Sequence, residues 1–296
     1  MVPVLSIIFM AVSMIGAIAL PLFLLSFYRV RYGSTVRPFI VGCVVFVVMV
    51  FFLEGTVNNA LFSLFGETLS GNIWLYGLFG GLMAGLFEET GRFLAFKWFV
   101  KSDDMCDSLT YGAGHGGIEA MIILGLGMLS NIATAVMLNV GGTEALIPSG
   151  TDAATAAAVQ TSLAALTDTS PFLFLVGLLE RAVAIALHVA LSVLVFAAVK
   201  RGKLWLYPLA IALHAFADFA AVVVNNYSPS VLLTELFIAA VTAAVVYLAY
   251  RVYKADSERR PAFVPTPIPV GAVDDDEVCD DVCDADASDD TDCEQE

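Results

Sequence analysis

Charged residues are scarce in this sequence. Asp, Glu, Lys and Arg make up 15% of its 296 residues, whereas hydrophobic residues make up 59%, and the mean hydropathy is +0.83. This balance is too apolar for a soluble domain and predicts an all-α, polytopic protein of the cell membrane, in contact with the lipid bilayer. No Walker, dinucleotide-binding, zinc-finger or His-Glu-x-x-His pattern is present, and no nucleic-acid partner is expected.

The acidity of the chain is concentrated at its C-terminal end. The formal net charge is −15, but 13 of the 29 acidic residues lie between Asp274 and Glu296, a stretch without any Lys or Arg. Prolines precede this stretch, and it has too few apolar residues to fold. We therefore predict a transmembrane domain over residues 1–255 and a disordered, Pro-containing and then acidic cytoplasmic tail over residues 256–296.

The apolar runs predict a bundle of seven transmembrane helices. The spans are expected at Val4–Tyr28, Pro38–Leu61, Asn72–Phe99, Tyr111–Val140, Pro171–Val199, Leu204–Val224 and Val231–Tyr253. A further stretch, Asp152–Leu166, is too short to cross a bilayer and is predicted to form a surface helix. Threading the chain through these spans puts every Lys and Arg outside the membrane on one side, which predicts an outside N-terminus and a cytoplasmic C-terminus.

Three charged residues interrupt the third span. Glu88, Glu89 and Arg92 follow a run of apolar residues and glycines, and each charge at membrane depth costs roughly 2.5–3.5 kcal/mol on insertion scales. Such residues therefore face a protein interior or a water-filled cavity. Glu88 and Arg92 are four residues apart on one helical face, so we expect them to pair and to leave Glu89 free.

The sequence has only three histidines, and each lies in or at the edge of a different span. His115, His188 and His214 belong to the fourth, fifth and sixth spans. Glu119 follows His115 by four residues and Asp218 follows His214 by four, so each pair shares one helical face. We expect these acids and bases to converge with the glutamates of the third span on one buried cavity.

Such a cavity could hydrolyse a peptide bond. The reaction needs a base for the attacking water, a donor for the developing oxyanion and a proton for the leaving amine, which glutamate and histidine can supply. No serine or cysteine lies beside a histidine as an obvious nucleophile. Two versions stay open: His115, His188 and His214 could bind zinc or another divalent metal with one open position, or glutamate and histidine could activate water without metal.

The order of these residues resembles a known superfamily. A double glutamate and an arginine on one membrane helix, a histidine on the next, and a later histidine followed by an aspartate are similar to the CAAX-protease and bacteriocin-processing (abortive-infection) intramembrane proteases. Glycine-flanked His115 with Glu119, followed by Glu180 and Arg181, is most similar to the YhfC family of intramembrane metalloproteases. The resemblance covers residues 80–225.

The resemblance implies roles for the candidate residues. Glu88 or Glu89 would activate water, and Arg92 would hold the glutamate pair. Two residues separate Glu89 from Arg92 where the superfamily pattern has three, which leaves the choice of base open. His115 and His214 would bind or polarise the scissile carbonyl. The catalytic candidates are Glu88, Glu89, Arg92, His115, Glu119, His214 and Asp218, with Asp218 fixing His214.

The expected function is therefore an intramembrane protease that acts on a membrane-embedded peptide or protein. A proton- or ion-coupled transporter is the first alternative, because acidic residues and histidines also form proton relays in membranes. Against it, the polar motifs do not recur in two halves of the chain. A noncatalytic scaffold subunit, in which the same groups join helices, is the second alternative. Gly81-x-x-x-Gly85 predicts close helix packing whichever of these three functions the protein has.

Overall fold

The computed structural model describes residues 1–228 and 230–258, and its regular elements there are all helical, which confirms the all-α prediction. The α-helices are α1 (Val4–Tyr32), α2 (Val36–Phe46), α3 (Gly55–Ser70), α4 (Ile73–Leu94), α5 (Cys106–Ala120), α6 (Gly127–Gly141), α7 (Ala153–Asp168), α8 (Pro171–Lys200), α9 (Leu206–Tyr227) and α10 (Val231–Ser257). Wider π-helical segments join α2 to α3 (Val47–Glu54), extend α4 (Ala95–Phe99) and join α5 to α6 (Met121–Leu126). The predicted tail lies outside the described residues from 259 onward.

Six helical stretches of the described residues are long and apolar enough to cross a membrane, so the chain is a multi-pass membrane protein. They are Val4–Tyr32, Val36–Ser70, Cys106–Gly141, Pro171–Lys200, Leu206–Tyr227 and Val231–Ser257. The predicted third span is also helical, as α4, but its charged residues and glycines make it less apolar than the six. The count of seven spans and the orientation of the N-terminus stay predictions.

Two of the helical stretches extend beyond their predicted ends. The second continues through its π-helical segment to Ser70, past the predicted end at Leu61. The helix that carries His115 begins at Cys106, before the predicted start at Tyr111. His115 therefore lies inside a helix and is fully buried, rather than opening it. Polar and glycine-rich turns that pack inside a bundle can stay helical, because tertiary contacts outweigh low local helix propensity.

Helix α8 lies at the centre of the bundle. From Ile185 to Ala198 most of its side chains are buried, whereas the outer helices keep large apolar side chains exposed, as a membrane protein does toward lipid. Helix α4 packs along α9, α2 along α5, and α5 along α8. These three pairs hold the charged residues of α4 and all three histidines, so helix packing decides how the polar groups meet.

Glycines allow the backbones of paired helices to approach closely. A Cβ atom on Gly81 would lie 2.3 Å from the carbonyl oxygen of Ala215, and one on Gly85 would lie 2.7 Å from that of Ile211. Gly114 has the same role between α5 and α2, where a Cβ would lie 2.1 Å from the carbonyl oxygen of Phe39. The close packing expected from Gly81-x-x-x-Gly85 is therefore confirmed between α4 and α9.

Adjacent glycines on α4 provide a test of this packing. Gly81→Ala should destabilise the protein by about 1–3 kcal/mol, because the new methyl group forces α4 and α9 apart. Gly80 has open space around its Cα, so Gly80→Ala should be neutral or stabilise by about 0.5–1 kcal/mol through helix propensity. Thermal unfolding of the purified variants in detergent measures both. Equal melting temperatures for the two variants would contradict the packing seen between α4 and α9.

Candidate active site

Four helices contribute the polar groups of the site. Helix α4 carries Glu88, Glu89 and Arg92, α5 carries His115 and Glu119, α8 carries His188, and α9 carries His214 and Asp218. Glycines of α5 face α8 at this level: a Cβ on Gly112 would lie 2.5 Å from the Cα of Val189, and one on Gly116 would lie 3.0 Å from the imidazole of His188. Small residues on α5 therefore make room for the His188 ring between the helices.

Glu88 faces two histidines. Its Oε2 lies 2.8 Å from Nε2 of His115 and 3.9 Å from Nδ1 of His188. The two imidazole rings are neighbours, with centroids 4.9 Å apart. One ligand atom from each of the three residues lies within 4.8 Å of the other two, and all three side chains are buried. Two imidazole nitrogens and one carboxylate oxygen thus converge on a single point.

Hydrogen bonds fix the orientation of His188. Nη2 of Arg92 lies 3.1 Å from Nδ1 of His188, and because a guanidinium only donates, Nδ1 must be the accepting nitrogen. Nε2 then carries the hydrogen and faces Oε2 of Glu119 at 2.6 Å. Nη1 of Arg181 in turn donates to Oε1 of Glu119 at 2.7 Å. The Nδ1 lone pair of His188 therefore accepts from Arg92, with Oε2 of Glu88 3.9 Å from the same nitrogen, and the carboxylate of Glu119 lies on the other side of the ring.

The expected pair between Glu88 and Arg92 is wrong. Arg92 pairs instead with Oε1 of Glu89, three residues before it on the same helix. Residues three apart are helical neighbours as much as residues four apart, so spacing alone did not decide between the glutamates. The histidines on neighbouring helices determine which glutamate pairs with Arg92. Glu88 points to His115. Glu89 is not free, because it is fully buried between Arg92 and His214.

His214 is held by the second glutamate. Its Nδ1 lies 2.8 Å from Oε1 of Glu89, and its ring centroid is 5.2 Å from that of His188. Its Nε2 faces Oδ2 of Asp218 at 3.6 Å, which is longer than a hydrogen bond. Glu89, rather than Asp218, therefore orients the last histidine. Glu119, which shares a helical face with His115, reaches across to His188 instead.

The nitrogen and oxygen atoms of this group match the ligands that a divalent metal uses. Two histidines and one glutamate, with an open position, form the ligand set of well-known catalytic zinc sites. A metal-binding histidine commonly has a carboxylate at its other ring nitrogen, and Nε2 of His188 lies 2.6 Å from Oε2 of Glu119. The predicted set of three histidines differs, because His214 turns Nδ1 to Glu89 and lies outside the group of Glu88, His115 and His188. The chain's residues fit a divalent metal with Glu88 in place of His214.

Two buried residues near the site were not singled out from the sequence. Tyr111 is fully buried, stacks between Phe96 and His115, and its hydroxyl has no hydrogen-bond partner in the described residues. Glu54, on the second helical stretch, is buried, and the segment that it ends packs against α4. A single tyrosine or glutamate in an apolar run gives no spacing signal, so only the fold shows that both lie beside the helices of the site.

The fold and the site together define a class: a multi-pass helical membrane protein with a buried glutamate–histidine cluster that fits a divalent metal. The family model described as YhfC intramembrane metalloprotease matches residues 16–242. The chain is also 33% identical, over 257 residues, to the uncharacterized membrane protein YhfC of Bacillus subtilis (strain 168), covering 84% of this chain and 98% of the relative. The chain belongs to the YhfC intramembrane metalloprotease family, as its sequence motifs predicted.

No solved structure matches the chain. The broader resemblance to the CAAX-protease superfamily therefore stays a prediction. Family membership supports the presence of a metal, and the cluster of Glu88, His115 and His188 is compatible with one.

Proposed function

We propose that this protein is an intramembrane protease that uses a divalent metal of the zinc class to hydrolyse a peptide bond in a membrane-embedded substrate. The observation that carries the proposal is the convergence of Glu88, His115 and His188 on one buried point, with the imidazole of His214 beside it. The designation of the family as intramembrane metalloproteases supports the same activity.

Glu88, His115 and His188 are the residues that would hold the metal. When bound, a divalent ion would polarise the scissile carbonyl and make a water molecule a better nucleophile at neutral pH. Glu119 keeps the hydrogen of His188 on Nε2, so Nδ1 has the lone pair that would bind the metal in place of the hydrogen bond from Arg92. Nε2 of His115 already faces the same Glu88 oxygen. These residues set the position of the reacting water and carbonyl.

His214 is the residue assigned to proton transfer. Oε1 of Glu89 accepts the hydrogen of its Nδ1, so Nε2 is left to accept a proton from the attacking water and to donate it to the leaving amine. Arg92 holds Glu89 in place, as an orienting carboxylate is held in other hydrolases. Asp218 faces the imidazolium that forms and stabilises its charge across 3.6 Å. Glu89 therefore orients the base instead of activating water itself.

Replacing the three histidines one at a time separates metal binding from proton transfer. His115→Ala and His188→Ala should lose both the metal, about one ion per chain in the wild type, and proteolysis. His214→Ala should keep the metal and lose about 10²–10⁴-fold in cleavage rate, the range for general acid–base groups. The measurements are metal content after dialysis and cleavage of a library of membrane-spanning peptides, both on full-length protein in detergent micelles.

Two results would overturn these assignments. Loss of the metal in His214→Ala, as in the other two variants, would restore the three-histidine site that the sequence suggested. A metal-loaded wild type that cleaves no peptide of the library, while retaining its fold, would reject proteolysis itself and favour a transporter or scaffold.

A further inference from the structure

Glu54 occupies an unusual position on the second helical stretch. It is the last residue of the π-helical segment Val47–Glu54, and its side chain is buried although the apolar residues just before it, Phe51 to Leu53, are exposed. π-Helical geometry is rare in proteins and is frequent at functional sites. The π-helical segment therefore directs the carboxylate of Glu54 into the bundle, away from the exposed apolar side chains before it.

Two acceptor atoms at Glu54 have no donor. Nδ2 of Asn58 donates to Oε1 of Glu54 at 3.1 Å, and since an ionised carboxylate only accepts, this bond fixes the orientation of the amide. Oε2 of Glu54 and Oδ1 of Asn58 are both buried, and neither has a hydrogen-bond partner within the described ranges. Buried polar atoms are rarely left unpaired, so this pair of oxygens is arranged for a donor that the chain itself does not supply.

This pair of oxygens lies on a segment that packs against the helix of the two site glutamates. The π-helical segment Val47–Glu54 contacts α4, which carries Glu88 and Glu89, and the charge of Glu54 also acts on His214 and Asp218. Asp218 has 42% of its side chain exposed, whereas His214 has 3%, so the bundle is open at Asp218 and closed at the histidine. An ionisable group facing lipid is costly, so the exposed part of Asp218 is expected to face water or another polar group. Glu54, Asn58 and Asp218 are called the rim below.

The carboxylates of the rim lack a Lys or Arg partner among the described residues. The two arginines of the core are engaged elsewhere, Arg92 with Glu89 and Arg181 with Glu119 and Glu180. No Lys or Arg among residues 1–228 and 230–258 forms an ion pair with Glu54 or Asp218, and Asp218 faces the imidazole of His214 at 3.6 Å. A ligand that donates N–H groups and carries a positive charge would satisfy both the free oxygens and the charge.

We propose that the rim binds a cationic nitrogen of the substrate, next to the bond that is cleaved. This inference rests on the proposed protease function and adds a substrate class to it: a membrane-embedded peptide with a protonated amine or a guanidinium close to the scissile bond. The cation comes either from a Lys or Arg side chain or from a free α-amino group, since both offer the same charge and donors. Glu54 and Asn58 bind it directly, and Asp218 faces it from α9.

Matched peptides test the preference. In each pair, one position near the cleavage site is Lys or the uncharged norleucine, and each peptide is made with a free or an acetylated N-terminus. Wild-type protein should cleave the Lys peptide about tenfold faster than the norleucine peptide, the ratio that corresponds to 1.4 kcal/mol. An advantage that instead follows the free N-terminus would assign the rim to the α-amino group. Equal rates for all four peptides would overturn the proposal.

Glu54→Gln removes the charge and keeps the shape of the side chain. Its preference for the cationic peptide should fall below about twofold, with the norleucine peptide cleaved at the wild-type rate. Glu67→Gln is the matched control, because Glu67 is exposed on the same helical stretch. It should keep the full preference. A Glu54→Gln protein that folds and still prefers the cationic peptide would refute the assignment.

A binding measurement separates failure of this inference from failure of the protease function. n-Butylammonium, with n-butanol as the uncharged probe, should raise the melting temperature of the wild type and of Glu67→Gln but not of Glu54→Gln. This shift does not require cleavage, so a shift without any proteolysis would retain the cation site and reject the protease. An equal shift in Glu54→Gln would reject the cation site even in an active protease.

Discussion

Glu88→Gln is expected to abolish proteolysis and to weaken metal binding by about a hundredfold or more, while the protein still folds. The amide has the size of the carboxylate but lacks its charge, and it must turn an NH2 group or a carbonyl toward His115 and His188. Glu88 is the only carboxylate in the three-residue group that fits a metal among the described residues. Removing its charge should therefore impair water activation both with and without a bound metal.

Glu89→Gln is the matched control, because it makes the same change one residue further along the same helix. Glu89 contacts Arg92 and His214 and lies outside the metal group, so Glu89→Gln should keep the metal and lose activity only through a misoriented His214. Metal content and cleavage rate of the two purified variants measure the difference. If Glu88→Gln bound metal as tightly as the wild type and Glu89→Gln did not, the two roles would have to be exchanged.

The helices and their order were predictable from the sequence because each depends on local properties. Apolar runs of sufficient length predicted the positions of most helices, and Pro171 marked the start of α8 correctly. The ends were less predictable: glycines and polar residues before Tyr111 and after Leu61 continue as helix because neighbouring helices cover them. Local propensity could not include that contribution.

The partners of the polar residues were not predictable, because they depend on how the helices rotate against each other. Spacing gave Arg92 two equivalent neighbours, Glu88 and Glu89, and only the positions of His115 and His214 on other helices separate them. The same reason explains why Glu119 binds His188 rather than its own helical neighbour His115. Sequence spacing thus identified the residues of the cluster, whereas the distribution of roles between them required the fold.

Arg92→Met is expected to destabilise the protein by about 3–5 kcal/mol, the usual effect of removing one partner of a buried ion pair. Arg92 is fully buried, pairs with Glu89 and donates to His188, so its loss leaves the Glu89 charge uncompensated inside the bundle. Methionine fills a similar volume without the charge. The expected result is a lower melting temperature, reduced yield from the membrane and no proteolysis.

A double variant shows whether the uncompensated charge is the cause. Adding Glu89→Gln to Arg92→Met removes that charge and should recover a large part of the lost stability, because replacing both partners of a buried pair is far less harmful than breaking it. Lys97→Met, at an exposed position further along the same helical stretch, should change stability by less than about 0.5 kcal/mol. Unfolding of the four proteins in mixed micelles measures these effects. A double variant no more stable than Arg92→Met would show that Arg92 acts mainly through His188 and packing, rather than by balancing Glu89.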